Sequence, residues 1–377
     1  MTNADRSAPQ LTIHRLLLKM AEIEASDLHI KIGSPPILRI AATLHRLDLP
    51  ILSVEDTESL LKPMIPARLL QQLEREGGVD FSYTFDHGRF RCNVFHAGGG
   101  LHAAIRRVNS KIPDFDSLHL PKVYRHVADH VQDGLIIICG VTGSGKSSTL
   151  ASIVNHMNHN RACNMITIED PVEYLFTPAK SVISQREVGL DVSDFPTALR
   201  GAVRQDPDLI VIGEMRDKET LLAGLMAAET GHLVFATLHT TDTVQAFSRI
   251  LEFFPTDQHP FIRSCLANGL RAVMAQRLLP STKPGVTVVP ATEVLLASPS
   301  VSERIREGQE EDLYAVIADS THDGMHTFTD SLYRLVTENY VDLKTAEEYA
   351  PHPEQLHSKV HGIAVKSDGL VSRLRKP

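Results

Sequence analysis

The 377-residue chain lacks several features that would sort it at once. No apolar run is long enough to span a bilayer, and no basic amphipathic helix stands out, so no direct membrane insertion is expected. The four cysteines, Cys92, Cys139, Cys163 and Cys265, lie far apart with no CxxC pair, which excludes a disulfide framework and a zinc knuckle. Basic residues are in deficit: 38 Lys and Arg against 46 Asp and Glu leave a net charge of −8. That balance argues against nucleic acid as a partner, which needs a basic footprint. The opening MTNADRSAPQ is polar and the LLLKM after it is brief, so no signal peptide is expected and the chain reads as cytoplasmic. No internal repeat is visible. Histidines are plentiful, yet His156 and His159, three residues apart on a helical stretch, have no third ligand near them in the sequence and read as surface residues.

The length suits two domains better than one. Near the start, SDLHIKIG alternates, with Leu28, Ile30 and Ile32 on one face and Asp27, His29 and Lys31 on the other. That pattern predicts a half-buried strand. DFSYTFDHGRFRCNVF puts Phe81, Tyr83 and Phe85 on one face, turns at Asp86-His87-Gly88, and alternates again, which predicts a hairpin. With helical spacing over VEDTESLLKPMIPARLLQQLEREGG between the strands, residues 1–108 read as a small α+β domain with an antiparallel sheet. The proline-rich stretch at 109–123 reads as a linker.

From 124 onward, short apolar runs (LIIIC, MITIE, DLIVIGE, HLVFATLH) alternate with amphipathic stretches. This alternation predicts an α/β core with a parallel sheet and helices packed on it. The core domain is expected over 124–350, ending in helices, with 351–377 as a flexible tail.

Residues 140–149 read GVTGSGKSST. Gly140 to Ser147 fits G-x-x-x-x-G-K-[ST], with a strand before it and a helix after it. Gly140, Gly143 and Gly145 let backbone amides wrap phosphates. Lys146 brings a point charge to the outer phosphates and Ser147 a hydroxyl for Mg²⁺. Gly140, Val141, Thr142, Gly143, Ser144, Gly145, Lys146, Ser147 and Ser148 are the candidate ATP-binding set. ITIEDP ends the second strand with Glu169 and Asp170, either a solvated acidic loop or carboxylates facing the phosphates. In DLIVIGE the usual strand-terminal aspartate position holds Gly213, leaving Glu214 to supply the carboxylate, followed by Arg216 and Asp217. GHLVFATLHTTD carries His239 at a fourth strand end, placed either for packing or for sensing a phosphate. Ligands of open parallel sheets gather at such carboxyl ends.

In this order and spacing, GVTGSGKSST, ITIEDPVEY, LIVIGEMRD and GHLVFATLHTTD resemble the Walker A, Asp, Walker B and His boxes of secretion-type hexameric ATPases. SDLHIKIGSPPILRI, GRFRCNVF, SQREVGL and ALRGAVRQDPDLIVIGEMRD extend the resemblance to the twitching-motility ATPases that retract type IV pili, the PilT-like group, over roughly residues 10 to 345. The resemblance implies a PAS-like N-terminal domain, a RecA-like P-loop core and a homohexameric ring with ATP bound between the domains. It implies that Glu169 and Glu214 serve water activation and Mg²⁺ coordination, with Ser147 and Glu214 as the metal ligands. It assigns His239 to the γ-phosphate and Arg91 and Arg106 to the nucleotide. An arginine in that role is worth about 10³–10⁵ in rate, roughly 4–7 kcal/mol. The implied partners are an inner-membrane pilus platform protein and a second pilus ATPase, with the ring recruited to the inner-membrane face of the pilus machine.

Two stretches depart from the family pattern. A further N-terminal arginine of the family aligns near Gly99, and the family's AIRNLIRE reads SVSERIRE at 300–307, keeping only Ile305, Arg306 and Glu307. An accessory retraction paralogue is therefore one alternative to the main motor. A pilus-extension or type II secretion ATPase is another, although this chain lacks the tetracysteine insertion of those relatives. A nucleotide-binding scaffold without turnover is a third.

Overall fold

The computed structural model describes residues 11–40, 43–86, 88–108 and 111–362. The opening decapeptide, His87 of the expected hairpin turn, Asn109 and Ser110 of the expected linker, and residues 363–377 of the expected tail lie outside them. The chain divides into two compact units. One holds the described residues up to Lys111 together with Pro171–Phe176 and Glu187–Asp191; the other holds the rest.

The first unit runs α1 (Ile13–Glu22), β1 (Asp27–Ile30), β2 (Ile37–Ile40), β3 (Thr43–Arg46), α2 (Val54–Leu61), α3 (Ala67–Glu76), β4 (Gly78–Phe85), β5 (Gly88–Ala97) and β6 (Gly100–Arg107). Its sheet has the order β3-β2-β1-β6-β5-β4, and all its pairings are antiparallel. The α+β expectation is met. α1 turns Ile13, Leu16, Leu17 and Met20 inward at helical spacing. α2 starts in a capping box, in which Ser53 and Asp56 each bond the other's backbone amide. The hairpin closes Phe85 against Gly88, with Phe81 buried and Tyr83 and Phe85 packed beside it. Leu28 and Ile30 are fully buried. Asp27, on the polar side of the pattern, is also buried, and Arg106 Nε donates to its Oδ1 at 2.8 Å.

The second unit contains α4 (Lys122–His130), β7 (Gly134–Cys139), α5 (Lys146–Asn160), β8 (Asn164–Glu169), β9 (Val182–Glu187), α6 (Phe195–Ala202), β10 (Leu209–Ile212), α7 (Lys218–Glu229), β11 (Leu233–Leu238), α8 (Thr243–Glu252), α9 (His259–Gly269), β12 (Leu270–Pro280), β13 (Val288–Leu296), α10 (Pro299–Glu307), α11 (Leu313–Asp319), α12 (Phe328–Thr337), α13 (Leu343–Tyr349) and α14 (Pro353–Val360). Its sheet has the order β13-β12-β7-β11-β10-β8-β9. β12, β7, β11, β10 and β8 are mutually parallel, and β13 returns antiparallel to β12. Every residue of β7, β10 and β11 is buried, as expected of parallel strands covered on both faces. The four chemically marked strands, β7, β11, β10 and β8, are consecutive neighbours. The α/β class read from the sequence is the observed one. Among the described residues no helix is long and apolar enough to cross a membrane.

The tail expected from residue 351 is corrected in part. Pro353 opens α14, where a missing N–H costs nothing, and Leu356 is fully buried as the helix packs on α12 and α13. An eight-residue helix is marginal alone, so it depends on this docking. Truncating a buried leucine costs about 2–5 kcal/mol. Leu356→Ala is therefore expected to undock α14 and speed limited proteolysis near residues 350–352. A cleavage rate equal to wild type would show that Leu356 does not hold the helix.

Candidate active site

β7 delivers the chain into the glycine-rich loop, and α5 leaves it. Gly145 caps α5 with φ 88°, in the left-handed region that glycine enters without strain. Gly140 is needed for closeness: a Cβ there would lie 2.2 Å from Ser144 Oγ and 2.7 Å from Gln276 O. The loop thus presents the first-turn amides of α5, a ready anion site. Lys146 is buried and folds over the loop, its Nζ donating to Gly140 O at 2.7 Å and Val141 O at 3.2 Å. Ser147 is exposed on the first turn, and Ser148 is half-buried beside it. Val141, Thr142, Gly143 and Ser144 line a cavity of about 320 Å³ together with Thr241, Arg277, Leu278 and Tyr349.

The neighbouring strand ends are tied together past their ladders. Gly213 N donates to Ile168 O at 2.8 Å, Thr237 Oγ1 to Gly213 O at 2.5 Å, and Met215 N to Thr237 O at 3.0 Å. These bonds join β8, β10 and β11 just where Glu169, Glu214 and His239 emerge. Glu214 is held from two sides: Arg216 Nη2 lies 2.7 Å from Oε2, and His239 Nε2 lies 3.2 Å from Oε1. Burial works to raise the Glu214 carboxyl, but the Arg216 hydrogen bond and the charges of His239 and Arg216 outweigh it. The group stays ionised below the usual carboxylate range. Arg216 also reaches Asp170, with Nη1 3.6 Å from Oδ2. Glu169 Oε1 accepts from Thr167 Oγ1 at 2.6 Å and from Gln185 Nε2 at 3.2 Å. His239 is 41% exposed, too open to be a packed core histidine.

The structure thus brings Glu169, Asp170, Glu214, Arg216 and His239 to the carboxyl edge of one sheet that also carries the phosphate loop. Asp217 stands apart as the N-cap of α7, accepting from Thr220 N. Arg91 and Arg106 are cross-strand partners in the first unit; Arg91 is exposed, and Arg106 pairs with Asp27. His156 bonds Asp129 at 2.6 Å, and His159 bonds its own helix at Asn155 O. Sequence reasoning missed Gln276, whose Nε2 donates to Ser144 O at 2.7 Å and so seats the phosphate loop from β12. It also missed Arg277, Thr237 and Gln185. Their roles come from contacts across long sequence separations, which no local pattern marks.

The absence of an aspartate at 213 has a steric reason. A Cβ there would lie 3.1 Å from Ile168 O and 3.2 Å from Glu169 Cα. Any side chain would push β8 and β10 apart at the carboxylates, at about 1–3 kcal/mol. Gly213→Ala is expected to lower the denaturant midpoint without changing the slope; an unchanged midpoint would show that the strand ends have room to spare.

Comparisons with known proteins agree with this fold. The family model for type II/IV secretion system proteins matches residues 10–311. The type IV pilus retraction ATPase PilT of Pseudomonas aeruginosa is 36% identical over 91% of this chain and 99% of its own. The type IV pilus ATPase PilU of the same organism is 35% identical over 92% of this chain and 90% of its own. A crystal structure of the pilus retraction motor PilT with bound ADP superposes with a TM-score of 0.85 at 40% identity, covering 92% of this chain and 99% of that one. The chain belongs to the type II/IV secretion system protein family.

Proposed function

We propose that this family member is a motor ATPase that hydrolyses ATP to drive retraction of type IV pili, acting as a homohexameric ring. The observation that carries the reading is the similarity, along nearly the whole of both chains, to a pilus retraction ATPase, together with the ADP-bound motor of like fold. The four-part strand edge supports it, because hydrolysis needs charge neutralisation and a positioned water rather than covalent chemistry.

In this reading the loop amides and Lys146 hold the β- and γ-phosphates. Ser147 and Glu214 offer hard oxygen donors that suit Mg²⁺, an ion that neutralises charge on the phosphate oxygens when bound. Glu169 orients the attacking water. His239, already bonded to Glu214, reads the γ-phosphate. Arg91 and Arg106 add positive charge at the transition state. Arg106, whose side chain is 69% exposed, would exchange Asp27 for phosphate, and Asp27 would keep the hydrogen bond from Ser26 Oγ. The ring works in the cytoplasm, against an inner-membrane platform protein.

A second reading, an accessory retraction ATPase beside a main motor, is favoured by the comparable match to PilU and by SVSERIRE in place of the usual motif. That segment forms α10, with Val301 and Ile305 buried.

Glu214→Gln is expected to keep ATP affinity while losing about 10²–10⁴ in hydrolysis rate; comparable turnover would refute its role. Lys146→Ala is expected to lose binding and turnover together. Surface filaments counted on cells lacking the protein should exceed those on complemented cells. Fewer filaments would mean extension, and equal counts would favour the accessory role.

A further inference from the structure

We infer that Arg277 and Glu293 are positioning residues that bracket the turn after His239 to the C-terminal helices and so fix the imidazole for its work on phosphate. The inference rests on the role given to His239 above, and it deepens that role. β12 and β13 pair Ala275 with Glu293 and Arg277 with Ala291. Alternation along a strand puts the Arg277 and Glu293 side chains on one face of the sheet and Gln276 on the other.

Both bracket residues touch the β11–α8 connection and α12, and Arg277 also reaches α13. Arg277 Nη2 donates to Thr241 O at 3.3 Å, and Nη1 donates to Tyr349 O, the last residue of α13, at 2.8 Å. Its guanidinium carbon lies 4.4 Å from the centre of the Phe328 ring. Glu293 is fully buried, and its Oε1 accepts from Thr243 N at 3.1 Å and from Thr243 Oγ1 at 2.8 Å. Its Oε2 accepts from Phe328 N at 3.3 Å. Thr243 opens α8 and Phe328 opens α12, so one carboxylate satisfies amides at two helix N-termini, where negative charge is favoured. Thr241 and Thr243 follow His239 by two and four residues. A fully buried carboxylate is kept only where its bonds repay desolvation, and here every bond goes to this junction.

The physical consequence is a fixed imidazole. The short turn between β11 and α8 has little freedom once Thr241 O and Thr243 N are pinned. A side chain displaced by about 1 Å can forfeit on the order of 10² in rate. Because both residues contact Phe328 of α12 and Arg277 also holds the end of α13, any displacement of the His239 turn by phosphate is passed to those helices.

Steady-state ATP hydrolysis with Arg277→Lys, His239→Ala and the double variant tests this. Lysine keeps the charge but cannot donate to both carbonyls with a planar fork. Arg277→Lys should lower kcat about ten- to a hundredfold with KM nearly unchanged, and it should add no further loss in the His239→Ala background. If Arg277→Lys multiplies the His239→Ala defect by its full factor, the bracket acts elsewhere and the inference fails while the His239 role stands. An unchanged kcat in Arg277→Lys also overturns it. If His239→Ala turns over like wild type, the reading of the site fails first and takes the bracket with it. Glu293→Gln, which keeps an acceptor for Thr243 but replaces the one for Phe328 with a donor, should show the same dependence on His239. Melting curves of each variant separate this pattern from global loss of fold.

Discussion

The site depends on three hydrogen bonds that Gly213 and Met215, just beyond the end of β10, make with β8 and β11. Gly213 N to Ile168 O, Thr237 Oγ1 to Gly213 O, and Met215 N to Thr237 O continue the contact between β8, β10 and β11 past their ladders. Parallel strands normally fan out into independent loops at this edge. Here the chain leaving β10 stays bonded to both neighbours through Gly213 and Met215, on either side of Glu214, with Glu169 and His239 at the ends of the flanking strands. The absence of a side chain at Gly213 is the condition for this closeness. An acidic residue one position later can then meet an imidazole from the next strand at 3.2 Å.

Around this knot the remaining parts are supports. The phosphate loop is held from within by Lys146 on its own carbonyls and from behind by Gln276 on Ser144 O. The turn after His239 is held by neighbours of Gln276 on the same strand pair. β12 and β13 carry none of the family's named boxes, yet they hold the glycine-rich loop and the turn after His239. The carboxylates of this region are all employed: half-buried Glu214 between Arg216 and His239, buried Glu293 between two helix starts.

Much of this was legible in the sequence, for physical reasons. Alternation gave β1, β4 and β5, because one face of that sheet is buried and the other is wet. The continuous apolar runs gave β7, β8, β10 and β11, and each box sits at the end of its own run, so the shared edge followed from parallel pairing alone. β12 escaped notice because α9 passes directly into it at Gly269–Leu270 with no connecting loop, and a short buried strand and a buried helix read alike. Gln276 and Arg277 went unseen with it. The residues after 350 misled in the opposite sense: read as a flexible tail, they begin with α14, which Pro353 opens. Asp27 looked like a wet-face carboxylate but is buried under Arg106, a pairing set by β1 lying beside β6, which no local pattern reports.

If hydrolysis runs as proposed, Glu169 and Glu214, carried on strand ends tied to each other, act as one unit rather than as separate contributors. The most direct measurement is the single-turnover rate of ATP cleavage by Glu169→Gln, Glu214→Gln and the double variant, with nucleotide binding followed in parallel. Residues that work as a unit lose little more together than the worse one loses alone. The account predicts a double variant within a few-fold of the slower single one, with ATP still bound. Losses that multiply across the two sites would contradict it.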